Sequence, residues 1–410
     1  MYDYDVIIIG GGPAGMIAAI RAAELDKKVL VLERNEITGR KLRITGKGRC
    51  NITNNCDFDE LLENIPGNGR FMYSAFNAFS NQDLINFMNE IGVRTVVERG
   101  NRVFPESQKA ADVANALKNK AVALGVEVKY KARVTDILPG ENGRVTIVHC
   151  SEQIYNANSI VLATGGVSYP LTGSTGDGYK FARNLGHTII EPRASLISLV
   201  SNDEWISRLQ GLSLRNIDFK LFDCKDKELF HDFGEMVFTD NGISGPVVLS
   251  GSRHIPNFNY EGVYVLIDLK PALEIEKLDD RIKRDFEEYS RKQFKNALGD
   301  LLPSKLIPLI IEFSGIEEDK FVNQITREER QKLVHLLKNL KIKIKSAGPI
   351  SEAIVTAGGV KTGEIKPSTM ESKIMPGLFF AGEIIDVDGY TGGYNLTIAF
   401  STGWVSGNNA

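Results

Sequence analysis

The 410-residue sequence contains little cysteine, tryptophan or histidine, with 4, 2 and 5 residues of these types. The cysteines Cys50, Cys56, Cys150 and Cys224 are too few and too scattered for a disulfide framework or for a zinc site with paired CxxC ligands. The histidines are isolated and form no HxH, HxxxH or Ser-His-Asp pattern. We therefore predict no metal site, and the sparse cysteines favour a reducing, cytoplasmic environment.

The sequence also lacks long hydrophobic runs and blocks of like charge. The apolar run Val6 to Ile9 is too short to span a bilayer and follows acidic Asp3 and Asp5 instead of a basic signal region. The 49 Lys and Arg and the 52 Asp and Glu residues leave a net charge of −3, without a basic stretch that would mark a nucleic-acid arm. We expect neither a membrane anchor nor a nucleic-acid partner.

The overall composition is that of a folded protein. Hydrophobic residues make up 42% and charged residues 25% of the chain, close to globular averages, and the 39 glycines indicate many tight turns. A chain of this length exceeds the usual size of one compact core. We expect two domains, or one domain with a large insertion.

The order of the predicted elements indicates that one α/β domain is interrupted by another. Apolar runs and helical spacing predict a β, α, β order up to a strand over 159–163. Alternating apolar and polar residues then predict antiparallel strands at 196–200, 218–222 and 263–269. The segment 274–344 is charged and has helical periodicity. Strand and Gly-rich signals return from Ala353. We therefore predict an N-terminal part over 1–192, an inserted β-rich substrate domain over 193–272, a helical subdomain over 273–345, and a C-terminal part over 346–410.

The first residues carry a dinucleotide-binding motif. The run Gly10-Gly11-Gly12-Pro13-Ala14-Gly15 satisfies GxGxxG between a predicted strand (5–9) and helix (14–25), and Glu33 with Arg34 follows the second strand. Gly10 permits the turn, Gly12 allows a pyrophosphate to approach, Gly15 allows close helix packing, and Glu33 accepts hydrogen bonds from a ribose. This turn serves both FAD and NAD, so the motif alone leaves the dinucleotide open.

The far end of the chain favours FAD. Gly382 and Glu383 follow a predicted strand (378–381), and the Gly-rich run from Gly392 opens the last helix at Asn395 and Leu396. A second strand end and helix N-terminus suit a cofactor with a long polyol and a tricyclic ring. No second GxGxxG stands between a strand and a helix, so a separate nicotinamide domain is not expected.

Several longer blocks identify a family. Over nearly its full length the sequence resembles the BaiN/YhiN-like flavoproteins, which include aminoacetone oxidase. The blocks are Gly39 to Lys41, Thr45 to Asn51, Ala163 to Gly166, Gly173 to Gly178, Thr369 to Lys373 and Gly377 to Asn395.

The resemblance implies non-covalent FAD in a glutathione-reductase-like Rossmann domain that is interrupted by an antiparallel β domain and a helical subdomain. It further implies roles for individual residues. Arg40 and Lys41 neutralise phosphates, Thr45, Gly46 and Lys47 lie by the isoalloxazine, and Val134 contacts the adenine. The adenosine contacts Ala163, Thr164 and Gly165. Glu383 replaces the usual Asp at the polyol. The N1/O2 edge of the flavin faces the amides of Asn395 and Leu396.

Some residues keep two interpretations. Asp177 either caps the helix that starts at Tyr179 or contacts the cofactor, and Asp388 and Tyr390 either face the substrate or shape a turn. With Lys47, the last two are the catalytic candidates. Cys50 and Cys56 are either inert or a redox dithiol, although their spacing is one residue too long for the known pattern.

A further loop and the reaction also remain open. The segment 242–246 is either a structural turn or part of a pocket roof.

We expect an FAD oxidoreductase that exchanges hydride with a small organic substrate, first of all by oxidative deamination of an amine such as aminoacetone with O2. One alternative is NAD(P)H-dependent reduction of an activated C=C bond, as in a bile-acid enone; another is a non-metabolic redox sensor or RNA-modification partner. The sequence does not define the oligomeric state.

Overall fold

The structure, a computed structural model, describes residues 2–140, 143–151, 153–255 and 259–410. Its contacts divide the chain into two compact units, Met1–Ser195 with Pro349–Ala410, and Leu196–Gly348. The finer division of the insertion at residue 272 stays a prediction.

The elements are numbered along the chain. The strands are β1 Tyr4–Ile9, β2 Val29–Leu32, β3 Thr53–Asn54, β4 Thr95–Glu98, β5 Arg102–Pro105, β6 Glu127–Lys129, β7 Val134–Pro139, β8 Val145–Cys150, β9 Gln153–Leu162, β10 Ile189–Ser195, β11 Leu199–Ser201, β12 Ser213–Phe222, β13 Glu228–Phe238, β14 Gly242–Ser244, β15 Tyr264–Asp268, β16 Leu340–Ala347, β17 Val355–Val360 and β18 Leu378–Phe380. The helices are α1 Pro13–Glu24, α2 Phe58–Glu63, α3 Tyr73–Ala78, α4 Asn81–Glu90, α5 Ala110–Ala123, α6 Asp177–Asn184, α7 Pro246–Ser252, α8 Ile275–Glu288, α9 Ile307–Ser314, α10 Arg327–Lys338 and α11 Tyr394–Asn409.

The first unit is built on a seven-stranded sheet in the order β6-β2-β1-β9-β8-β7, with β18 also paired to β9. The pairs of β1 with β2 and with β9, and of β9 with β18, are parallel. Along β1, Ile7 and Ile9 belong to one hydrophobic cluster whereas Val6 and Ile8 belong to another. Because both faces are covered, the strand is a continuous apolar run, as the sequence predicted.

The sheet brings distant sequence segments to one edge. Strands β1, β9 and β18 run in the same direction, so the turns that follow Ile9, Leu162 and Phe380 lie at their shared carboxyl end. In doubly wound sheets this edge holds the ligand. The Rossmann-type α/β fold class that the sequence predicted is confirmed.

The second unit contains a closed antiparallel barrel in the order β11-β14-β13-β12-β15-β16. Its interior side chains and apolar residues of the helices, such as Leu278 of α8 and Leu333 of α10, form one hydrophobic cluster. The glycines of segment 242–246 serve this packing, because a Cβ on Gly242 would lie 2.0 Å from the Leu199 oxygen.

One secondary-structure prediction was wrong. Residues 340–344 were included in the helix-periodic segment, but they belong to the strand β16, Leu340–Ala347, which completes the barrel. Its odd-numbered residues 341, 343 and 345 are exposed lysines, whereas Leu340, Ile342 and Ile344 are buried. This alternation has the period of a strand.

Within the described ranges, no helix is both long and apolar enough to cross a bilayer.

Candidate functional site

The turn between β1 and α1 is as tight as the motif predicted. Gly10 has φ 107°, and a Cβ on it would lie 2.4 Å from the carbonyl oxygen of Ala163. A Cβ on Gly15 would lie 1.9 Å from the Gly10 oxygen. Both positions therefore require glycine because backbone atoms occupy the space of a side chain.

Gly12 differs from these two glycines because a Cβ on it would meet no protein atom within 4 Å. It is the N-cap of α1, has no side-chain cap, and is followed by Pro13 and Ala14. The N-terminus of α1 thus begins at an open position, which suits the pyrophosphate of a dinucleotide.

Glu33 braces this turn. Its side chain is buried and accepts hydrogen bonds from the Gly11 amide at 2.8 Å and from the Asn35 amide at 2.7 Å. Two carboxylate oxygens have about four acceptor positions, so capacity remains for a ribose hydroxyl. The backbone carbonyl oxygen of Glu33 accepts a further bond from the Ala132 amide, two residues before Val134.

Arg34 and Asp177 lie together beside Glu33. The Arg34 guanidinium donates to Thr175 Oγ1 at 2.6 Å and to Asp177 Oδ2 at 3.1 Å, and Arg133 donates to the same carboxylate at 3.3 Å. Asp177 is the first residue of α6. Its observed partners are thus two arginines, and a role toward the cofactor stays a prediction.

The predicted residues 163–165 follow β9 at the same edge. The Ala163 amide donates to the Ile9 oxygen at 2.9 Å, Thr164 Oγ1 is buried and has no hydrogen-bond partner in the described structure, and Gly165 has φ 76°. An unpaired buried hydroxyl is costly. It fits a site in which a bound molecule completes the hydrogen bonds.

Lys41 and Glu383 form the most connected polar cluster of the site. The Lys41 ammonium lies 2.7 Å from Glu383 Oε2 and 2.6 Å from Ser168 Oγ. Glu383 Oε1 accepts from Ser168 Oγ at 2.9 Å and from the Thr356 amide at 2.8 Å. The cluster ties loops after β9 and β18 to β17 and to the segment before Leu42.

Electrostatics keep Glu383 ionised. Burial raises the pKa of this carboxyl, but the charge and hydrogen bond of Lys41, with bonds from Thr356 and Ser168, more than offset it and lower the pKa below its ordinary value. A Cβ on the preceding Gly382 would lie 2.9 Å from the Ala14 Cβ. The ion pair therefore stands next to the first turn of α1.

Arg40 and Lys41 have different surroundings. Arg40 donates to Asn35 Oδ1 at 3.2 Å on the exposed side. Lys41 points to Glu383, so the phosphate role predicted for both residues stays a prediction.

Ser168 and Thr356 were not identified from the sequence, because neither belongs to a recognisable motif.

The predicted flavin loop has an unusual backbone. Thr45 is extended, whereas Gly46 at φ 56° and Lys47 at φ 58° are both left-handed. Left-handed geometry is strained for lysine. The Lys47 side chain is exposed and has no hydrogen-bonding or ionic partner among the described residues, so its ammonium is available to a ligand.

The start of α11 packs on the segment that follows this loop. Gly393, its N-cap, has φ 108°, and a Cβ there would lie 2.4 Å from the Thr53 carbonyl carbon. The Asn395 side chain accepts from the Gly389 amide at 2.9 Å and donates to the Gly389 oxygen at 2.7 Å. The side-chain amide of Asn395 thus fixes the preceding turn. The backbone amides of Asn395 and Leu396 remain the proposed flavin contacts.

Asp388 and Tyr390 lie in that turn. Asp388 is buried and accepts a 2.9 Å bond from Ser195 Oγ, while Tyr390 is partly exposed and its amide donates to the Asn64 oxygen. These contacts support the turn-shaping interpretation of Asp388. A substrate role for either residue stays a prediction.

The two N-terminal cysteines are both buried. Burial raises the pKa of Cys50 to about 12 and that of Cys56 to about 11. At neutral pH both are thiols, which are poor nucleophiles. This favours the inert interpretation.

Within the described ranges, no group of three or more His, Cys, Asp or Glu side chains is arranged to hold a metal ion.

The geometry fits FAD at two places. At one, the open Gly12 position, Glu33, the unpaired Thr164 hydroxyl and the Lys41–Glu383 pair all belong to segments that follow the parallel strands at one edge of the sheet. At the other, near α11, the side-chain oxygens of Asn51 and Asn54 are buried without partners in the described structure. Donors on a flavin or its polyol would satisfy such acceptors.

The chain matches known proteins over nearly its whole length. Residues 4–409 match the model of the HI0933-like protein Rossmann domain. The chain is similar to the 3-dehydro-bile acid delta(4,6)-reductase of Clostridium scindens, with 32% identity over 98% of each chain. It is also similar to the ribosomal RNA dihydrouridine synthase of Haemophilus influenzae, with 31% identity over 97% of this chain and 96% of that protein.

Among solved structures, 3-ketosteroid delta1-dehydrogenase from Sterolibacterium denitrificans aligns with a TM-score of 0.54 and 13% identity, over 99% of this chain and 98% of that one. At this identity the likeness concerns the fold. The family match covers nearly the whole chain and includes the pyrophosphate turn, the Lys41–Glu383 cluster and α11. The chain belongs to the HI0933-like Rossmann family, the BaiN/YhiN-type flavoproteins, and is an FAD-dependent oxidoreductase.

Proposed function

We propose that this protein reduces a carbon–carbon double bond that is conjugated with a carbonyl group. The observation that carries the proposal is the chemistry shared by two relatives that match over nearly their full length. One is named for reduction of 3-dehydro bile acids at positions 4 and 6, the other for formation of dihydrouridine. A 3-oxo-4,6-diene and a uracil ring both present a C=C bond conjugated with C=O.

The reaction needs a hydride for the carbon distal to the carbonyl and a proton for the proximal carbon. Bound FAD supplies a two-electron hydride carrier that NAD(P)H recharges. The chain must hold the cofactor and polarise the substrate carbonyl, since developing negative charge on that oxygen is stabilised by a cation or hydrogen-bond donor.

Lys47 is the candidate for polarising the carbonyl. Its side chain is exposed, its backbone is held at φ 58°, and it belongs to the predicted flavin loop. Lys41 is unsuited to the task because its ammonium already bonds Glu383 and Ser168.

Substitution of Lys47 by Met should therefore lower the rate at which a conjugated ketone reoxidises the reduced enzyme by about 100-fold, the usual effect of one lost electrostatic donor. FAD content and flavin reduction by NADPH should stay near wild type. Stopped-flow absorbance separates the two half-reactions. A Lys47→Met enzyme with unchanged reoxidation would exclude this role.

Oxidative deamination of a small amine such as aminoacetone is the competing activity. It runs in the opposite direction, with the amine reducing the flavin and O2 accepting the electrons. Anaerobic mixing with NADPH and, separately, with aminoacetone tests the direction. We expect NADPH to bleach the flavin and aminoacetone to leave it oxidised; the reverse pattern would overturn the proposal.

A further inference from the structure

A buried histidine of the first unit contacts three residues from the C-terminal part of the chain. His187 follows α6, and its side chain is fully buried. Its Nε2 atom lies 2.9 Å from the hydroxyl oxygen of Ser372, and its Nδ1 atom lies 3.4 Å from Oε2 of Glu364. The ring also packs edge-on against Phe380, the last residue of β18, with centroids 4.9 Å apart. We call His187, Glu364 and Ser372 the His187 cluster.

The hydrogen bonds of Ser372 define which nitrogen of His187 carries the proton. The Ser372 hydroxyl oxygen accepts the amide of Ile374 at 3.0 Å and that of Met375 at 2.7 Å. A hydroxyl group has two acceptor positions and one hydrogen. Because both acceptor positions are occupied, the hydroxyl hydrogen must donate to Nε2 of His187. The neutral ring therefore carries its proton on Nδ1, on the side of Glu364.

A second proton on His187 would disrupt this arrangement. It would bind to Nε2, where the Ser372 hydroxyl already directs its hydrogen, so that two donors would face each other. To accept from Nε2 instead, the hydroxyl oxygen would have to release one of its two amides. Those amides belong to the turn before β18, and the Ser372 amide itself donates to the Leu378 oxygen at 2.8 Å. Protonation of His187 therefore weakens the turn that positions β18.

The charges around His187 favour its protonation only in part. The carboxylate that faces the ring is Glu364, but its 3.4 Å contact with Nδ1 lacks the alignment of a hydrogen bond. Glu364 also accepts the Thr188 amide at 2.8 Å, and the charge of Lys361 favours its ionised form. The strand β18 is apolar. Other charged side chains of these segments have other partners or are exposed: Lys366 pairs with Glu371, the Lys373 ammonium donates to the Gly363 oxygen, and Arg183 of α6 is exposed.

The pH range in which the cluster changes follows from these surroundings. Burial lowers the pKa of His187 below its ordinary value of 6.5, although the Glu364 carboxylate opposes this. The folded protein thus holds His187 neutral, so the stability that the cluster contributes is fully present above pH 6.5 and is lost as the pH falls below it. The contribution of the Lys41–Glu383 pair is lost only below the ordinary Glu pKa of 4.5. The two effects occur in separate pH ranges.

The strand β18 connects the His187 cluster with the cofactor edge. Phe380 contacts His187 and ends this strand, and the predicted FAD contacts Gly382 and Glu383 follow it directly. We propose that the His187 cluster is a pH-sensitive device, which fixes β18 for FAD binding while His187 is neutral and weakens FAD binding when His187 is protonated. The proposal concerns the cofactor and is independent of the substrate that the flavin reduces.

The test measures the FAD dissociation constant of the full-length apoprotein between pH 5.5 and 7.5 by quenching of flavin fluorescence. The wild-type constant should rise toward pH 5.5 by up to about tenfold, the limit for one proton over this range. The His187→Gln side chain can accept the Ser372 hydroxyl but cannot be protonated, so its constant should change by less than about twofold. His149→Gln, at a partly exposed position on β8, is the control and should keep the wild-type pH dependence.

Two further measurements apply even where His187→Gln does not fold. Nitrogen NMR of the wild-type protein with 15N-labelled histidine, at pH 7.5, should show His187 as the Nδ1–H tautomer. Ser372→Ala frees the two amides without changing a charge, so it should weaken FAD binding at pH 7.5 and remove most of the pH dependence. An Nε2–H tautomer, a wild-type dissociation constant that does not change with pH, or a His187→Gln protein with the wild-type pH dependence would each overturn the proposal.

Discussion

Gly12 and Gly15 stand in the same turn but have opposite surroundings. A Cβ on Gly12 would meet nothing within 4 Å, whereas one on Gly15 would lie 1.9 Å from the Gly10 oxygen. The first glycine therefore leaves room for a ligand, and the second allows the helix to pack on the strand.

Replacing Gly12 by Val should therefore abolish FAD binding while the apoprotein keeps its melting temperature within a few degrees. Gly12 has φ −77°, which valine tolerates. Gly15→Val should instead prevent stable folding. Flavin absorbance after purification and thermal unfolding of the apoproteins distinguish the two; a Gly12→Val protein with full FAD content would contradict the pyrophosphate assignment.

Lys41 and Glu383 form an ion pair, so the loss of one residue changes the stability of the other's charge. Their side chains keep 21% and 19% of their exposure, so the pair is largely shielded from water. Removing the lysine would leave a shielded carboxylate with two hydrogen bonds and no counter-charge.

We expect Lys41→Met to lower the free energy of unfolding at pH 7 by about 2 kcal/mol, below the range for a fully buried pair because water still reaches both groups. The Glu383 pKa is lowered in the folded state, so the contribution is present above the ordinary pKa of 4.5 and is lost as the pH falls below it. Denaturant unfolding at several pH values measures this.

The control for this experiment is Arg208→Met. Arg208 pairs with Glu312 at 2.8 Å, but both side chains are more than half exposed. Its loss should cost less than about 0.5 kcal/mol. A Lys41→Met protein that is no less stable than Arg208→Met, and shows the wild-type dependence on pH, would show that the cluster contributes nothing.

At the scale of elements, α1 and α11 meet without large side chains between them. A Cβ on Gly403 would lie 2.3 Å from the Ala14 oxygen, and one on Gly407 would lie 2.3 Å from the Ala18 oxygen. The two glycines are four residues apart, so they face the same side of α11. Both helices begin at the cofactor edge, and their close packing fixes the distance between those two ends.

Gly407→Ala should therefore destabilise the protein by about 2 kcal/mol, because overpacking outweighs the gain in helix propensity. FAD affinity should fall as well, since α11 can no longer sit at its native distance from α1. Thermal unfolding with and without added FAD measures both effects. Gly299→Ala, where a Cβ meets no atom within 4 Å, is the control; equal stability of the two variants would refute the packing argument.

The sequence predicted those elements whose signals are local. The strand β1, the turn after it and α1 were predicted because their pattern lies in consecutive residues and the strand is covered on both faces. The Lys41–Glu383 contact was not predicted as a pair, because 342 residues separate its members. The strand β16 was missed because it follows helical segments directly, and its partner strands lie elsewhere in the chain.

At the scale of the whole molecule, the FAD unit and the barrel unit have separate hydrophobic cores. The first supplies the redox chemistry that the family shares.

The central claim concerns what accepts electrons from the reduced cofactor, and one measurement tests it most directly. The FAD-loaded enzyme is photoreduced without oxygen, so that no hydride donor is needed, and is mixed with a 3-oxo-4,6-diene steroid. We predict stoichiometric return of the oxidised flavin spectrum with loss of one C=C bond per flavin. A flavin that stays reduced with this steroid and with uridine-containing RNA, yet reoxidises in air, would contradict the account.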